Sequence, residues 1–209
     1  MNDLIKEVWK LKKTNTGKEV QKRLQEFLEF KNKNDSDWFS ELCFCILTAN
    51  SKASTAIKVH DELGYQGFSS HSHKEVADCI RRNKHRFHNN KAKFIVGARV
   101  YLNIKEKILK FDNSLDARVW LVENIKGIGF KEASHFLRNI GYFDLAILDR
   151  HIINLMLEYG LLDKKPTNLA EKNYLLVEKK FKKLSDEAKM SPAELDLYMW
   201  CLKAGEVLR

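Results

Sequence analysis

Apolar residues recur along most of this chain at spacings of three and four, the period of a helix that lays one face on a core. In the first 35 residues Val8, Trp9 and Leu11, then Val20, Leu24, Phe27 and Leu28, stand among lysines, which predicts amphipathic helices with solvated charged faces. The run from Trp38 to Leu47 is apolar nearly all round, so it predicts a central helix, capped by Asp37 and ending at Thr48-Ala49-Asn50-Ser51. Further helices are predicted over 53–63, 73–83, 90–104, 115–124, 131–140, 150–159, 171–184 and 192–203. The stretches 64–73, with two glycines and three serines, and 163–168, with Pro166, read as connections. Strict alternation of strand length is hard to find, and only nine glycines and two prolines interrupt the 209 residues, so the fold class is all-α.

Composition narrows the picture. An apolar fraction of 44% supports a sizeable core, and a formal charge of +9 favours a polyanionic partner, because basic groups gain affinity by displacing counterions condensed on nucleic acid. No secretory segment and no apolar run of membrane-spanning length stands out, so a soluble cytoplasmic protein is expected. Cys43, Cys45, Cys79 and Cys201 show neither a paired motif nor metal-ligand spacing, and they read as reduced core residues. Residues 81–93 carry six Lys or Arg and no acid around Phe87. That turn can contact phosphates while Phe87 stacks on a base, or it can be an interhelical loop with Phe87 as a core anchor. The run Lys179-Lys180-Phe181-Lys182-Lys183 alternates with apolar positions at helical spacing and reads as a solvated face.

Candidate chemistry concentrates at Lys126-Gly127-Ile128-Gly129-Phe130-Lys131 and Asp149-Arg150-His151. The glycines let backbone N–H groups approach a phosphate, and the following helix turns its positive dipole end to the same anion. A helix from Lys131 to Ile140 climbs roughly 15 Å. Gly141 suits the position beyond its end, and the eight residues to Leu148 reach roughly 26 Å, enough to return Asp149 to the level of Lys131. The plainer alternatives are Asp149 as an N-cap and Lys131 as a solvated lysine, slightly at odds with the macrodipole.

Block 115–141, a helix, a Lys-Gly-Ile-Gly hairpin and a second helix with Phe130, Ala133, Phe136, Leu137 and Ile140 inward, resembles the helix-hairpin-helix element of the DNA glycosylase superfamily that includes endonuclease III. The pattern Gly-x-Gly-x-Lys with an aspartate eighteen residues later, then x-His, is similar to its lyase-competent branch. The wording from Lys126 to Gly141 and from Asp144 to His151, with Glu41 to Asn50 and Leu195 to Trp200, resembles the compact prokaryotic second class of 8-oxoguanine DNA glycosylase/AP lyases over nearly the whole chain. The resemblance implies two helical lobes with the active site between them, one of residues 35–150 carrying the hairpin, the other of 1–34 plus 151–209.

It implies further that Lys131 is the Schiff-base nucleophile, that Asp149 is the catalytic carboxylate, and that Asn50 is inserted where the damaged base has left the duplex. Gly127, Gly129 and His151 would hold the DNA backbone, while Phe87, Trp200 and the C-terminal Arg209 would form the base pocket. Relatives commonly end in lysine, and the guanidinium of Arg209 is not its equivalent. The cluster cysteines of endonuclease III are missing, so no iron–sulfur cluster, and no other cofactor or metal, is expected. The implied partner is double-stranded DNA containing 8-oxoguanine, met by a monomer at the nucleoid, and the attacking lysine needs a depressed pKa. A glycosylase for oxidised pyrimidines or another purine, and a non-enzymatic helix-hairpin-helix DNA-binding module, are the alternatives.

Overall fold

The structure, a computed structural model, describes residues 3–205, and among them there are twelve α-helices and no strand. In chain order they are α1 (Asp3–Lys12), α2 (Asn15–Phe30), α3 (Asp35–Thr48), α4 (Ala53–Ser70), α5 (His73–Arg82), α6 (His88–Ala98), α7 (Ile104–Ile108), α8 (Ser114–Asn124), α9 (Phe130–Asn139), α10 (Arg150–Glu158), α11 (Glu171–Ala188) and α12 (Pro192–Ala204). The all-α expectation therefore holds. No helix among the described residues is long and apolar enough to cross a membrane.

The chain divides into two compact units, one from Asn32 to Phe136 and one of the residues up to Lys31 together with those from Leu137 onward. The second division thus falls inside α9, rather than at 150. Two positions beyond Phe136, the Arg138 guanidinium is 4.9 Å from the Phe27 ring centre and 2.9 Å from Asp196, both in the unit that holds α2 and α12.

In the unit from Asn32 to Phe136, every residue of α3 from Trp38 to Thr48 is buried, as its all-round apolarity predicts, and α4, α6 and α7 pack on it. Its cap is Asn34, whose Oδ1 accepts the Asp37 N–H at 3.0 Å, so Asp37 is a receiver of the cap and not the cap itself. The expected connection after residue 63 is helical as far as Ser70. Gly64, at φ +54, kinks the chain there, and Phe68 beyond it is fully buried. The single helix expected over 90–104 is broken after Ala98 by a 3-10 turn, Arg99–Tyr101. There the Arg99 side chain donates to the carbonyl of Phe68 at 2.8 Å and to that of His71, satisfying the end of α4.

In the other unit, α1, α2, α10 and α11 pack on α12. Between α9 and α10 the chain is irregular yet Leu145, Ala146 and Leu148 are fully buried, so their backbone polar groups need partners. Helix α11 supplies them: the Tyr174 hydroxyl donates to the Ala146 carbonyl at 2.7 Å and accepts the Leu148 N–H at 3.3 Å, and Glu178 accepts the Ala146 N–H at 3.1 Å. Gly141, at φ +95, ends α9 as expected, with the Tyr142 N–H returning to the Leu137 carbonyl at 2.9 Å. All four cysteines are buried thiols.

Arg138 and Asp196 face each other with side chains only 5% and 4% exposed, a buried ion pair of the kind that is costly to break from one side. Asp196→Ala is expected to lower unfolding stability by about 3–5 kcal/mol in urea titrations, while Arg138→Met with Asp196→Leu recovers most of that loss. A loss below about 1 kcal/mol in the single variant would contradict the assignment.

Candidate active site

The hairpin 125–129 is built around one glycine that nothing else can replace. Gly127 has φ +88, and a Cβ there would sit 2.4 Å from Phe94 Cδ2 of α6, so both backbone conformation and space exclude a side chain. Ile128 tucks its side chain into the core, and its N–H returns to the Ile125 carbonyl at 3.3 Å. Gly129 starts α9, with its carbonyl accepting the Ala133 N–H at 2.9 Å. Its own N–H, expected to meet a phosphate, donates to Glu132 Oε2 at 3.2 Å.

Lys131 therefore stands in the first turn of α9. Its side chain is 24% exposed, and Nζ lies 3.0 Å from Glu132 Oε1. A second lysine acts on this pair: Lys91 of α6, 4% exposed, donates to the Ile46 carbonyl near the end of α3. Burial pushes the Lys91 amine down to about 8; the Glu132 carboxylate opposes that shift and the Lys131 charge adds to it. Two amines and one carboxylate thus share a largely desolvated corner.

The basic turn 83–87 is anchored by His85, not by Phe87. His85 is buried, with Nε2 2.8 Å from the Leu47 carbonyl and Nδ1 2.7 Å from the Arg86 carbonyl. Phe87 is 52% exposed at φ +60, with the Arg86 guanidinium 5.1 Å from its ring centre, so the core-anchor alternative does not hold. Asn50, just past α3, is exposed at φ +55, a conformation asparagine tolerates better than most residues. The unit from Asn32 to Phe136 thus contains Asn50, Phe87, Gly127, Gly129 and Lys131, and α6 touches the hairpin through Phe94.

The other unit contains Asp149, His151 and Trp200. Asp149 is the N-cap of α10, its Oδ1 accepting the Ile152 N–H at 2.8 Å. Its Oδ2 accepts no hydrogen bond among the described residues, so the capping and chemical readings of this carboxylate are compatible. His151 is half-buried in the first turn of the same helix, and Trp200 is half-buried on α12, which packs on α10. Arg209 lies outside the described residues. Among the described residues no three His, Cys, Asp or Glu side chains are grouped as metal ligands. A recess of about 290 Å³ lined by Glu62, His71 and Arg82 holds none of the expected site residues.

The family model described as 8-oxoguanine DNA glycosylase matches residues 20–190. The chain belongs to the 8-oxoguanine DNA glycosylase family. It is similar to the 8-oxoguanine DNA glycosylase/AP lyase of Methanocaldococcus jannaschii, 45% identical over 99% of both chains. The crystal structure of the M. jannaschii 8-oxoguanine glycosylase/lyase with a 15mer DNA containing 8-oxoguanine matches with a TM-score of 0.96, at 44% identity over 99% of both chains. A trapped endonuclease III–DNA covalent intermediate matches at 0.62 and 16% identity, covering 94% of this chain and 90% of that one, a likeness of fold alone. The helix-hairpin-helix glycosylase fold expected from the motif is the fold observed.

Sequence reasoning passed over three side chains at this site: His85, Lys91 and Glu132. The first two sat in a stretch read only for its charge. Glu132 carried a usable signal, since it lies three residues after the glycine that begins α9, where an acid reaches back to the cap N–H.

Lys91 makes stability depend on pH in a definite direction. Its amine is lowered from 10.5 to about 8 in the fold, so between those values the unfolded chain holds the proton and the native chain does not. Stability from this group therefore rises with pH across that window, by on the order of 3 kcal/mol, and below pH 8 the cost of the buried charge is fully present. Wild type minus Lys91→Met unfolding free energies, measured from about pH 7.5 to 10.5, are expected to show that rise; a flat difference would refute it.

Proposed function

We propose that this chain removes 8-oxoguanine from duplex DNA and then nicks the strand by β-elimination, with Lys131 as the Schiff-base nucleophile and Asp149 as the catalytic carboxylate. The observation that carries the reading is a half-buried primary amine two residues after the Gly127-Ile128-Gly129 hairpin, in a chain 45% identical to a glycosylase/AP lyase along its length. A relative bound to DNA containing 8-oxoguanine supports the choice of base.

A stacked base is out of reach, so the lesion is first turned out of the duplex at a cost of a few kcal/mol. The backbone around Gly127, Gly129 and the N-terminus of α9 grips the distorted strand, with His151 at the N-terminus of α10 as a further phosphate contact. Asn50 fills the gap left in the stack. Phe87, already presented to solvent, and Trp200 bracket the purine.

Lys131 Nζ attacks C1′ as the bond to the purine breaks, and the free Asp149 Oδ2 stabilises positive charge developing on the sugar. The aminal so formed gives up an N–H proton and its C1′–O4′ bond opens, the ring oxygen leaving as a hydroxyl; the iminium that results makes the C2′ proton acidic, and loss of that proton expels the 3′ phosphate. One lysine thereby accounts for both base removal and strand scission. On this reading a single copy of the chain works on the chromosome in the cytoplasm.

Lys131→Gln is expected to abolish the borohydride-trapped adduct on a duplex with 8-oxoguanine opposite cytosine while DNA affinity stays within about threefold; undiminished trapping would refute the nucleophile. Asparagine caps helices as well as aspartate, so Asp149→Asn separates charge from cap. Excision there should slow about 10²–10³-fold without loss of melting temperature. Normal turnover would leave Asp149 with the cap alone.

A further inference from the structure

Lys131 cannot attack as an ammonium, because its nitrogen then has no lone pair. Neighbouring residues of a helix do not ordinarily face each other, yet Lys131 Nζ and Glu132 Oε1 are 3.0 Å apart. The contact exists because Glu132 is folded back toward the start of α9, where its second oxygen holds the Gly129 N–H at 3.2 Å. That leaves one oxygen of a largely buried carboxylate directed at the amine. We propose that Glu132 is a further catalytic residue, the base that takes the proton from Lys131 before attack; this rests on Lys131 being the nucleophile.

The step balances within the pair. An N–H bond of the Lys131 ammonium breaks and an O–H bond forms on Glu132 Oε1, turning ammonium and carboxylate into amine and carboxylic acid. The electron pair left on nitrogen forms the bond to C1′ as the pair of the glycosidic bond departs with the purine. Lys91, pinned by the Ile46 carbonyl, is buried beside this pair and feels the charges of both its members. Capping alone does not need the carboxylate, since a glutamine oxygen can accept the Gly129 N–H equally well.

Glu132→Gln in the full-length chain is the direct test, because it preserves an acceptor for the cap and removes the base. Single-turnover excision of 8-oxoguanine is expected to fall about 100-fold at about pH 7 with DNA affinity within about threefold. Glu132→Ala should be slower still and should regain at least about tenfold in added formate, whereas Lys131→Gln regains nothing. Excision by Glu132→Gln within about threefold of wild type would overturn the proposal, as would a Glu132→Ala variant deaf to formate. If Lys131→Gln still forms the borohydride adduct, the nucleophile reading falls and this proposal with it; if Lys131→Gln is inert but Glu132→Gln is not slowed, this proposal alone falls.

Discussion

The end of α3 is a buried helix terminus, and the last carbonyls of any helix have no partner within it. Water cannot reach these, so the protein has to supply donors. Thr48 Oγ1 donates to the Cys45 carbonyl at 2.9 Å, the Ser51 N–H to Thr48 at 3.2 Å, His85 lies 2.8 Å from Leu47, and Lys91 bonds Ile46. The last two come from one basic stretch about forty residues onward. The negative end of the α3 dipole suits the charge of Lys91, which offsets part of the cost of burying it.

That requirement organises the rest of this unit. Asn50 follows directly on the capped terminus, Phe87 is two residues beyond His85, and α6, which begins at His88, brings Lys91 to Glu132 and Phe94 to Gly127. Three candidate functional segments thus depend on donors whose first duty is to satisfy backbone carbonyls. The basic turn is a structural clamp as well as a cluster of positive charge.

Backbone satisfaction also separates the features that were legible in the chain from those that were not. The helical period, Gly141 at the end of α9 and the hairpin glycines follow from local rules of backbone and burial, and they could be read residue by residue. His85 and Lys91 could not, because a charged residue in a basic run looks the same whether it faces solvent or a carbonyl 38 or 45 positions earlier. Hydrophobicity left Phe87 open as either a base-stacking ring or the anchor of that turn, whereas backbone satisfaction selected His85 as the anchor. Asn34 displaced Asp37 as the cap of α3 for a local reason: either side chain can accept the orphan N–H, and a shift of three residues decides which does. The kink at Gly64 shows the limit of punctuation by glycine, since Phe68 beyond it had a core position to fill and the helix resumed.

Asp149 and Lys131 both sit at helix N-termini, and the same partial positive charge acts on them in opposite senses. At α10 it stabilises an anion, so the N-cap holds Asp149 in place through one oxygen while its charge is favoured where it stands. At α9 the same end of the dipole meets a lysine, with Lys91 buried nearby. A lysine meant only to carry charge would be poorly placed there. Glu132 puts one carboxylate oxygen 3.0 Å from that amine, while its other oxygen closes the first turn of the helix that presents it. On the proposed mechanism, cap and chemistry become two uses of one carboxylate at Glu132 and again at Asp149, since each binds a helix-terminal N–H through one oxygen and keeps the other for the reaction.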